Sequence, residues 1–171
     1  MEKHKRVLLV FSLVIICAIV NQTTKTMARH YLYGNGIVSY WGDVIRLQYA
    51  KNPGAFLSIG AELPIHIRSS VLSMGNLLVV ALVFLYAIFY NSLKSTAVVA
   101  LSLICGGGVG NIIDRFCFDG YVTDFMNLGI GVIRTGIFNV ADFALTAGIV
   151  MLALCAVRFG GGTTYEKVRA Q

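Results

Sequence analysis

Charge is almost absent from four long stretches of this chain, and that absence limits its fold more than any other feature. The stretches run from about residue 7 to 29, 70 to 90, 96 to 113 and 137 to 157. Each approaches or exceeds the roughly 18 to 20 apolar residues that a helix needs to cross a hydrocarbon core. In lipid only helices and closed barrels satisfy their own backbone polar groups, and unbroken apolar runs of this length are the helical solution. With 57% of its 171 residues hydrophobic and 13% charged, the chain has too little polar surface to cover a soluble domain. The expected fold is an all-α membrane protein, a single domain over residues 1–171 with four transmembrane helices.

Between the first two stretches the character changes. From Tyr31 to Arg68 the sequence is rich in Gly and aromatics, and Val44, Arg46 and Gln48 alternate with Ile45, Leu47 and Tyr49. Period-two alternation bounded by Gly42 and by Asn52-Pro53-Gly54 argues for short strands outside the lipid core. A small β platform over about 31–68 is therefore expected on one membrane face, with 114–136 read as a loop returning to that face. At the other end, Lys3, Lys5 and Arg6 before Val7 to Val20 resemble the start of a secretory signal peptide. No small-residue cleavage site follows, and Asn21 to Lys25 continues with helical spacing, so a retained first helix is expected. Asn21 and Lys25 are four apart and share a face. Lys25 fits equally well as a snorkelling interfacial cation or as part of a site.

Four spans put both termini on one side. That side holds Lys3, Lys5, Arg6, Lys94, Arg158, Lys167 and Arg169 in short segments, while the other holds seven Lys or Arg in long segments with six of the eight acidic residues. By the positive-inside rule both termini are expected in the cytoplasm, and the platform is expected to be extracytoplasmic.

Several functions are argued against. A net charge of +6 could suit nucleic acid, but the cations are dispersed and form no basic stripe. Cys17, Cys105, Cys117 and Cys155 show no CxxC spacing and read as small buried hydrophobes. His4, His30 and His66 have no ligand spacing, so neither a metal nor another cofactor is expected. Gly106-Gly-Gly-Val-Gly110 resembles a phosphate loop, yet no strand precedes it and no Lys-Ser/Thr follows; close helix packing in lipid is the better account.

The carboxylates carry the chemistry. Asp142 falls five residues into the fourth stretch, about 7.5 Å along a helix axis. An ionised carboxylate at that depth is costly and by default functional. Asp114 and Asp124 lie just past the third stretch, near the same surface. The pattern Asn-x-x-Asp occurs twice, as Asn111/Asp114 and Asn139/Asp142. Asp114 is expected to be structural, held ionised by Arg115 and Arg134. Two carboxylates converging on one wet pocket are what a metal-free aspartic hydrolase needs, but spacing alone does not choose the two.

Four ordered blocks carry a family resemblance: Asn52-x-Gly-Ala-Phe, Gly110-Asn-x-x-Asp-Arg115, Gly120-x-Val-x-Asp-Phe125 and Phe138-Asn-x-Ala-Asp142. Set among four spans, they resemble lipoprotein signal peptidase, or signal peptidase II. The resemblance implies a catalytic pair of Asp124 and Asp142. It implies that Asn52, Gly54, Asn111, Arg115 and Asn139 line the pocket or hold substrate, and that Asp114, Asn21 and Lys25 give structural support. It further implies a multi-pass protein of the bacterial cytoplasmic membrane with an outward-facing site. The implied substrate is a diacylglyceryl-modified prolipoprotein, cut before its lipid-modified cysteine while its acyl chains stay in membrane lipid. Two positions depart from the family pattern: Asn21 stands where Asp is usual, and Asn52-Pro53-Gly54-Ala-Phe-Leu replaces the commoner Asn-x-Gly-Ala-Ala-Phe. The competing expectations are a divergent, non-catalytic paralogue that binds lipoprotein or lipid, and a proton-coupled transporter using Asp142, which four spans without a repeat disfavour.

Overall fold

The computed structural model describes residues 1–54 and 64–160. The far part of the expected platform, the Ala-Phe-Leu of the loop block, and Lys167 and Arg169 lie outside the described residues. Chain order is α1 (Lys3–Tyr31), β1 (Val38–Tyr40), β2 (Ile45–Asn52), α2 (Ile65–Phe89), α3 (Ser95–Cys117), β3 (Val122–Ile130), β4 (Ile133–Arg134) and α4 (Val140–Gly160). All four helices are long and apolar enough to cross a membrane, so this is a multi-pass membrane protein.

The bundle is built around α3. In its apolar window 61% of residues are buried, against 11–22% for the other helices, whose outer faces leave Leu8, Ile15, Leu78, Leu82, Phe143 and Leu154 exposed. Small residues make that centre possible. A Cβ added at Gly106 would strike Cys17 of α1, at Gly107 the Ala141 carbonyl of α4, at Gly108 Val80 of α2, and at Gly110 Asn21 of α1. The glycine run is thus a packing surface where three helix backbones close on a fourth. At the opposite end from the sheet, buried Arg6 of α1 donates to the carbonyls of Tyr90 (2.7 Å) and Asn91 (2.9 Å). A cation on the last carbonyls of α2 satisfies acceptors that the helix leaves open.

The sheet is antiparallel in the order β1-β2-β3-β4. Only half of it comes from the expected platform. The segment 114–136, read as a loop, supplies β3 and β4; its alternation through Val122, Asp124, Met126 and Leu128 is the strand signal that the reading passed over. Asn52 pairs with Val122 and Ala50 with Asp124, so Asn52 and Asp124 are diagonal neighbours on one face. On the other side of β3, Met126 bridges Phe138, which ties the strand to the start of α4.

Of the boundaries that differ from expectation, three bear on the site. Helix α2 begins at Ile65, inside the supposed platform. Helix α3 runs on to Cys117, so Asp114 and Arg115 are helical. Helix α4 starts at Val140, because Phe138 is held in the strand pairing and Asn139 caps the helix. Asp142 therefore lies about 3 Å along the axis instead of about 7.5 Å, within reach of the first free N–H groups.

Candidate active site

The first turn of α4 fixes the site. The Asn139 carbonyl accepts from Phe143 N at 3.2 Å, which makes Asn139 the N-cap. Its side-chain oxygen accepts from Ala141 N (2.7 Å) and Asp142 N (3.3 Å), while Asp142 Oδ2 accepts from Asn139 N at 3.0 Å. This is a reciprocal capping box. Because the Asn139 oxygen faces the helix, its amide nitrogen must face away, and it donates to Asp124 Oδ1 at 2.6 Å. One residue therefore touches both carboxyls.

Two further amides are oriented in the same way. Asn52 accepts from Gly54 N at 2.9 Å and donates to Asp124 Oδ2 at 2.7 Å. Asn111 accepts from Lys25 Nζ at 2.8 Å and donates to Asp142 Oδ1 at 3.0 Å. Each amide has a donor on its oxygen, so each must present NH2 to a carboxylate. All four oxygens of Asp124 and Asp142 thus accept from nitrogen. Both acids are buried, at 2% and 8% exposure. Desolvation pushes the Asp124 carboxyl up to about 6. The Asn139 hydrogen bond pulls it down, the neighbouring Asp142 charge raises it, and the Asn52 hydrogen bond lowers it.

Asp114 has different partners from those expected. Arg115 turns away to donate to the Gly54 carbonyl at 2.9 Å, and Arg134 lies on the sheet against the Asp43 carbonyl (2.7 Å) and Asn127 (2.5 Å). The cation beside Asp114 is Lys25, at 3.2 Å, with both side chains fully buried. Lys25 therefore does not snorkel. Gln22 (3.0 Å) and Thr123 N (2.8 Å) donate to the Asp114 carboxylate, and Arg29 stands 3.7 Å from it. Arg29 also donates to Thr123 Oγ1 at 2.9 Å, so this cluster grips the residue next to Asp124. Asn21 is fully buried against Gly110. Its oxygen accepts from Ala141 N at 3.2 Å, which makes it a second support for the α4 cap. Sequence reasoning missed Gln22, Arg29 and Thr123. Gln22, Lys25 and Arg29 recur at spacings of three and four, a polar stripe on an otherwise apolar helix, and that was the available signal.

Asp142 separates two cavities. One, about 430 Å³, is lined by Arg134, Thr135, Phe138, Phe143 and Thr146. The other, about 380 Å³, lies between α2, α3 and α4 and is lined by Val71, Gly75, Asn76, Asn111 and Arg115, among others. The arrangement sets two oriented, buried carboxyls beside apolar space large enough for an extended peptide or an acyl segment.

Fold and site together define a multi-pass membrane protein with a pocket of buried carboxyls and amides at one end of its bundle. The family described as Signal peptidase (SPase) II matches residues 13–158, and the chain belongs to that family, which makes it a membrane protease. It is 34% identical over 150 residues to a lipoprotein signal peptidase of Sulfurihydrogenibium sp. (strain YO3AOP1), covering 86% of this chain and 90% of that protein. It is also 34% identical over 160 residues to one of Treponema denticola, covering 87% and 89%. Two solved chains share the fold. The first, "Bacterial membrane enzyme structure by the in meso method at 2.3 A resolution", has a TM-score of 0.77 at 22% identity, covering 91% of both chains. The second, similarly described at 1.9 A, has a TM-score of 0.72 at 22% identity, covering 88% of this chain and 93% of that one.

Proposed function

We propose that this chain is an aspartic endopeptidase that removes the signal peptide from lipid-modified prolipoproteins, cutting before the diacylglyceryl-cysteine, with Asp124 and Asp142 as the catalytic pair. The observation that carries the reading is Asn139, which bonds one carboxyl through its amide (2.6 Å) and the other through its backbone N–H (3.0 Å). Family membership supports the substrate class.

Ionising two neighbouring carboxyls in a desolvated pocket is expensive, so the reacting form of the pair is taken to hold one proton. The ionised member takes a proton from water as the water attacks the scissile carbonyl. The protonated member hydrogen-bonds the carbonyl oxygen and stabilises the developing charge. Collapse of the tetrahedral species returns a proton to the leaving amine, with no covalent intermediate. Asn52, Asn111 and Asn139 keep the carboxyl planes fixed throughout, so little reorganisation accompanies charge movement. Arg115 holds the Gly54 carbonyl, and its place in the cavity between α2, α3 and α4 suits it to a substrate backbone.

The site lies at the end of the bundle where α1 and α3 finish and α2 and α4 begin. Lys3, Lys5, Arg6, Lys94 and Arg158 gather at the opposite end, which supports cytoplasmic termini and an outward-facing site. The substrate's acyl chains stay in lipid while the peptide enters between helices, so remote apolar contacts orient the bond. Incubation of purified protein with a diacylglyceryl-modified precursor tests the reading. Wild type is expected to release the signal peptide, and Asp124→Asn and Asp142→Asn are expected to insert normally and release none. Turnover by either variant, or binding by wild type without product, overturns it.

A further inference from the structure

The sheet ends far from the carboxyls, and that end is the wrong chemistry for water. Tyr40 pairs with Ile45, Ile45 with Leu128, and Ile130 with Ile133. This register puts the β1–β2 turn and the β3–β4 turn side by side at the same edge. Gly129 N to the Val44 carbonyl (2.9 Å) and Arg134 to the Asp43 carbonyl (2.7 Å) stitch the two turns together. Six residues of strand separate Asp124 from Ile130, a reach of about 20 Å at roughly 3.3 Å per residue. At that remote tip Trp41 is 80% exposed, Ile130 78%, Val132 99% and Ile133 81%. Single exposed apolar residues need no explanation, but four together at one end of a sheet do.

The backbone adds an independent sign. Trp41, Gly42 and Asp43 all have positive φ, at 53°, 62° and 74°. A bulky residue in that region is an outlier, and strain of this kind is kept where it serves a purpose. Here it holds the indole outward. Asp43 locks the turn by accepting from Ser39 (2.8 Å) and Arg46 (2.7 Å).

We propose that this tip is a membrane anchor, in which Trp41, Ile130, Val132 and Ile133 dip into the headgroup and upper acyl region of the bilayer that the four helices cross. Lipid is the occupant that fits, because the tip is apolar and the helices to which its strands are tied are themselves apolar enough to lie in lipid. Strand β3 starts five residues after α3 ends, and α4 starts six residues after β4 ends, so the sheet is rooted at the level where the spans leave the bilayer. Lying along that level puts the tip at the interface, where tryptophan is favoured. Standing upright puts Val132 and Ile133 in water for no gain. Behind the tip, Arg46 and Arg134 share the single carboxylate of Asp43, and the surplus positive charge suits anionic headgroups. The anchor fixes the height of β3, and with it Asp124, relative to the membrane. It stands on exposure and register, independent of the catalytic reading.

Trp41 is the only tryptophan in the chain, so the wild-type protein reports on its own tip. It is reconstituted into phosphatidylcholine–phosphatidylglycerol vesicles whose acyl chains are brominated either near the headgroup or near the methyl end. The expected result is quenching roughly twofold stronger by the shallow bromines than by the deep ones, with little quenching by aqueous iodide. Val132→Asn with Ile133→Asn is expected to reverse that pattern, lowering lipid quenching and admitting iodide. Three results overturn the proposal: iodide quenching without lipid quenching, shielding from both quenchers as a second copy or protein partner would give, or a double variant that leaves Trp41 unchanged.

Discussion

Asn111-x-x-Asp114 and Asn139-x-x-Asp142 are the same four-residue pattern set at opposite ends of two helices, and helix polarity gives them different work. The second pair opens α4, where backbone N–H groups lack partners. Its Asn oxygen and one Asp oxygen take those donors and close a capping box, on the side of the macrodipole that favours negative charge. The first pair lies in the last turns of α3, where only carbonyls are left over. There Asp114 is completely buried against Lys25 at 3.2 Å, and Asn111 reaches across to serve Asp142. The charge of Asp114 is therefore matched by a buried cation that cannot follow if the carboxyl is neutralised. Asp142 is held by neutral amide and backbone donors. One copy of the pattern carries a buried ion pair and the other a helix cap.

The largest effects come from exchanging the two acids for their amides. Asp142→Asn keeps an oxygen for the Asn139 N–H but turns its own NH2 toward that of Asn111, so a cost of about 1–3 kcal/mol is expected, while turnover of a lipidated precursor falls by roughly 10³-fold or more. Asp114→Asn should do the reverse in kind. Leaving Lys25 buried and unmatched is expected to cost about 3–5 kcal/mol, read as a lowered unfolding midpoint in detergent, with activity lost through instability. If Asp114→Asn proves stable and inactive while Asp142→Asn proves unstable, the division of labour is inverted.

Lys25 joins the two halves, since it pairs with Asp114 and also donates to Asn111. Lys25→Met should be destabilising, and adding Asp114→Asn should recover part of the stability, with a coupling of about 1–3 kcal/mol. Turnover should not recover in the double variant. Without its lysine donor the Asn111 oxygen keeps only the longer hydrogen bond from Asn139 Nδ2 at 3.3 Å, so the amide is held less firmly with its NH2 toward Asp142. A double variant that regained activity along with stability would reduce Lys25 to a charge partner and nothing more.

A smaller effect sharpens the comparison from the packing side. Gly107 faces the Ala141 carbonyl, one residue before Asp142. A methyl group there meets backbone, which cannot step aside as a flexible side chain does. Gly107→Ala should push the start of α4 away from α3 and lengthen the Asn111 to Asp142 bond, with a cost of about 1–3 kcal/mol and a fall in kcat larger than any rise in KM. Gly75, whose added Cβ would meet open space, is the control for packing alone, and Gly75→Ala should not lower stability.

How much of this was legible depended on how local each feature is. The spans were readable because apolar length is a local property, and the strand β2 because alternation is. Strand β3 carried the same alternation, but an acidic, Gly-flanked segment between two spans reads as a loop until its partner strand is known. The first turn of α4 was misplaced by three residues because Ile137 and Phe138 are apolar enough to continue a helix, while their pairing with β3 is a tertiary fact. Lys25 and Asp114 are 89 positions apart in the chain, so no spacing argument could join them, and neighbours in sequence, Arg115 and Arg134, were credited instead. The Asp124 and Asp142 pair itself came from the family resemblance; geometry then supplied Asn139 as the residue that connects them.

The smallest expected effect concerns pH and returns to the oriented amides. Burial raises the Asp124 carboxyl from its usual value near 3.8 to about 6. A carboxyl whose folded value is raised holds its proton more tightly when folded, so its contribution to stability is greatest below about 4 and is lost as pH rises through about 6. The same titration should govern one limb of the pH profile of kcat/KM near 6. The Asn52 and Asn139 hydrogen bonds favour the ionised form and pull that value down, so removing either should move the limb to higher pH. Asn139→Ala should move it further than Asn52→Ala, since its hydrogen bond has the larger influence, and should also cost about 1 kcal/mol through the lost cap. A profile that stays put in both variants, or moves downward, would mean that the amides hold the carboxyls in place without setting their charge.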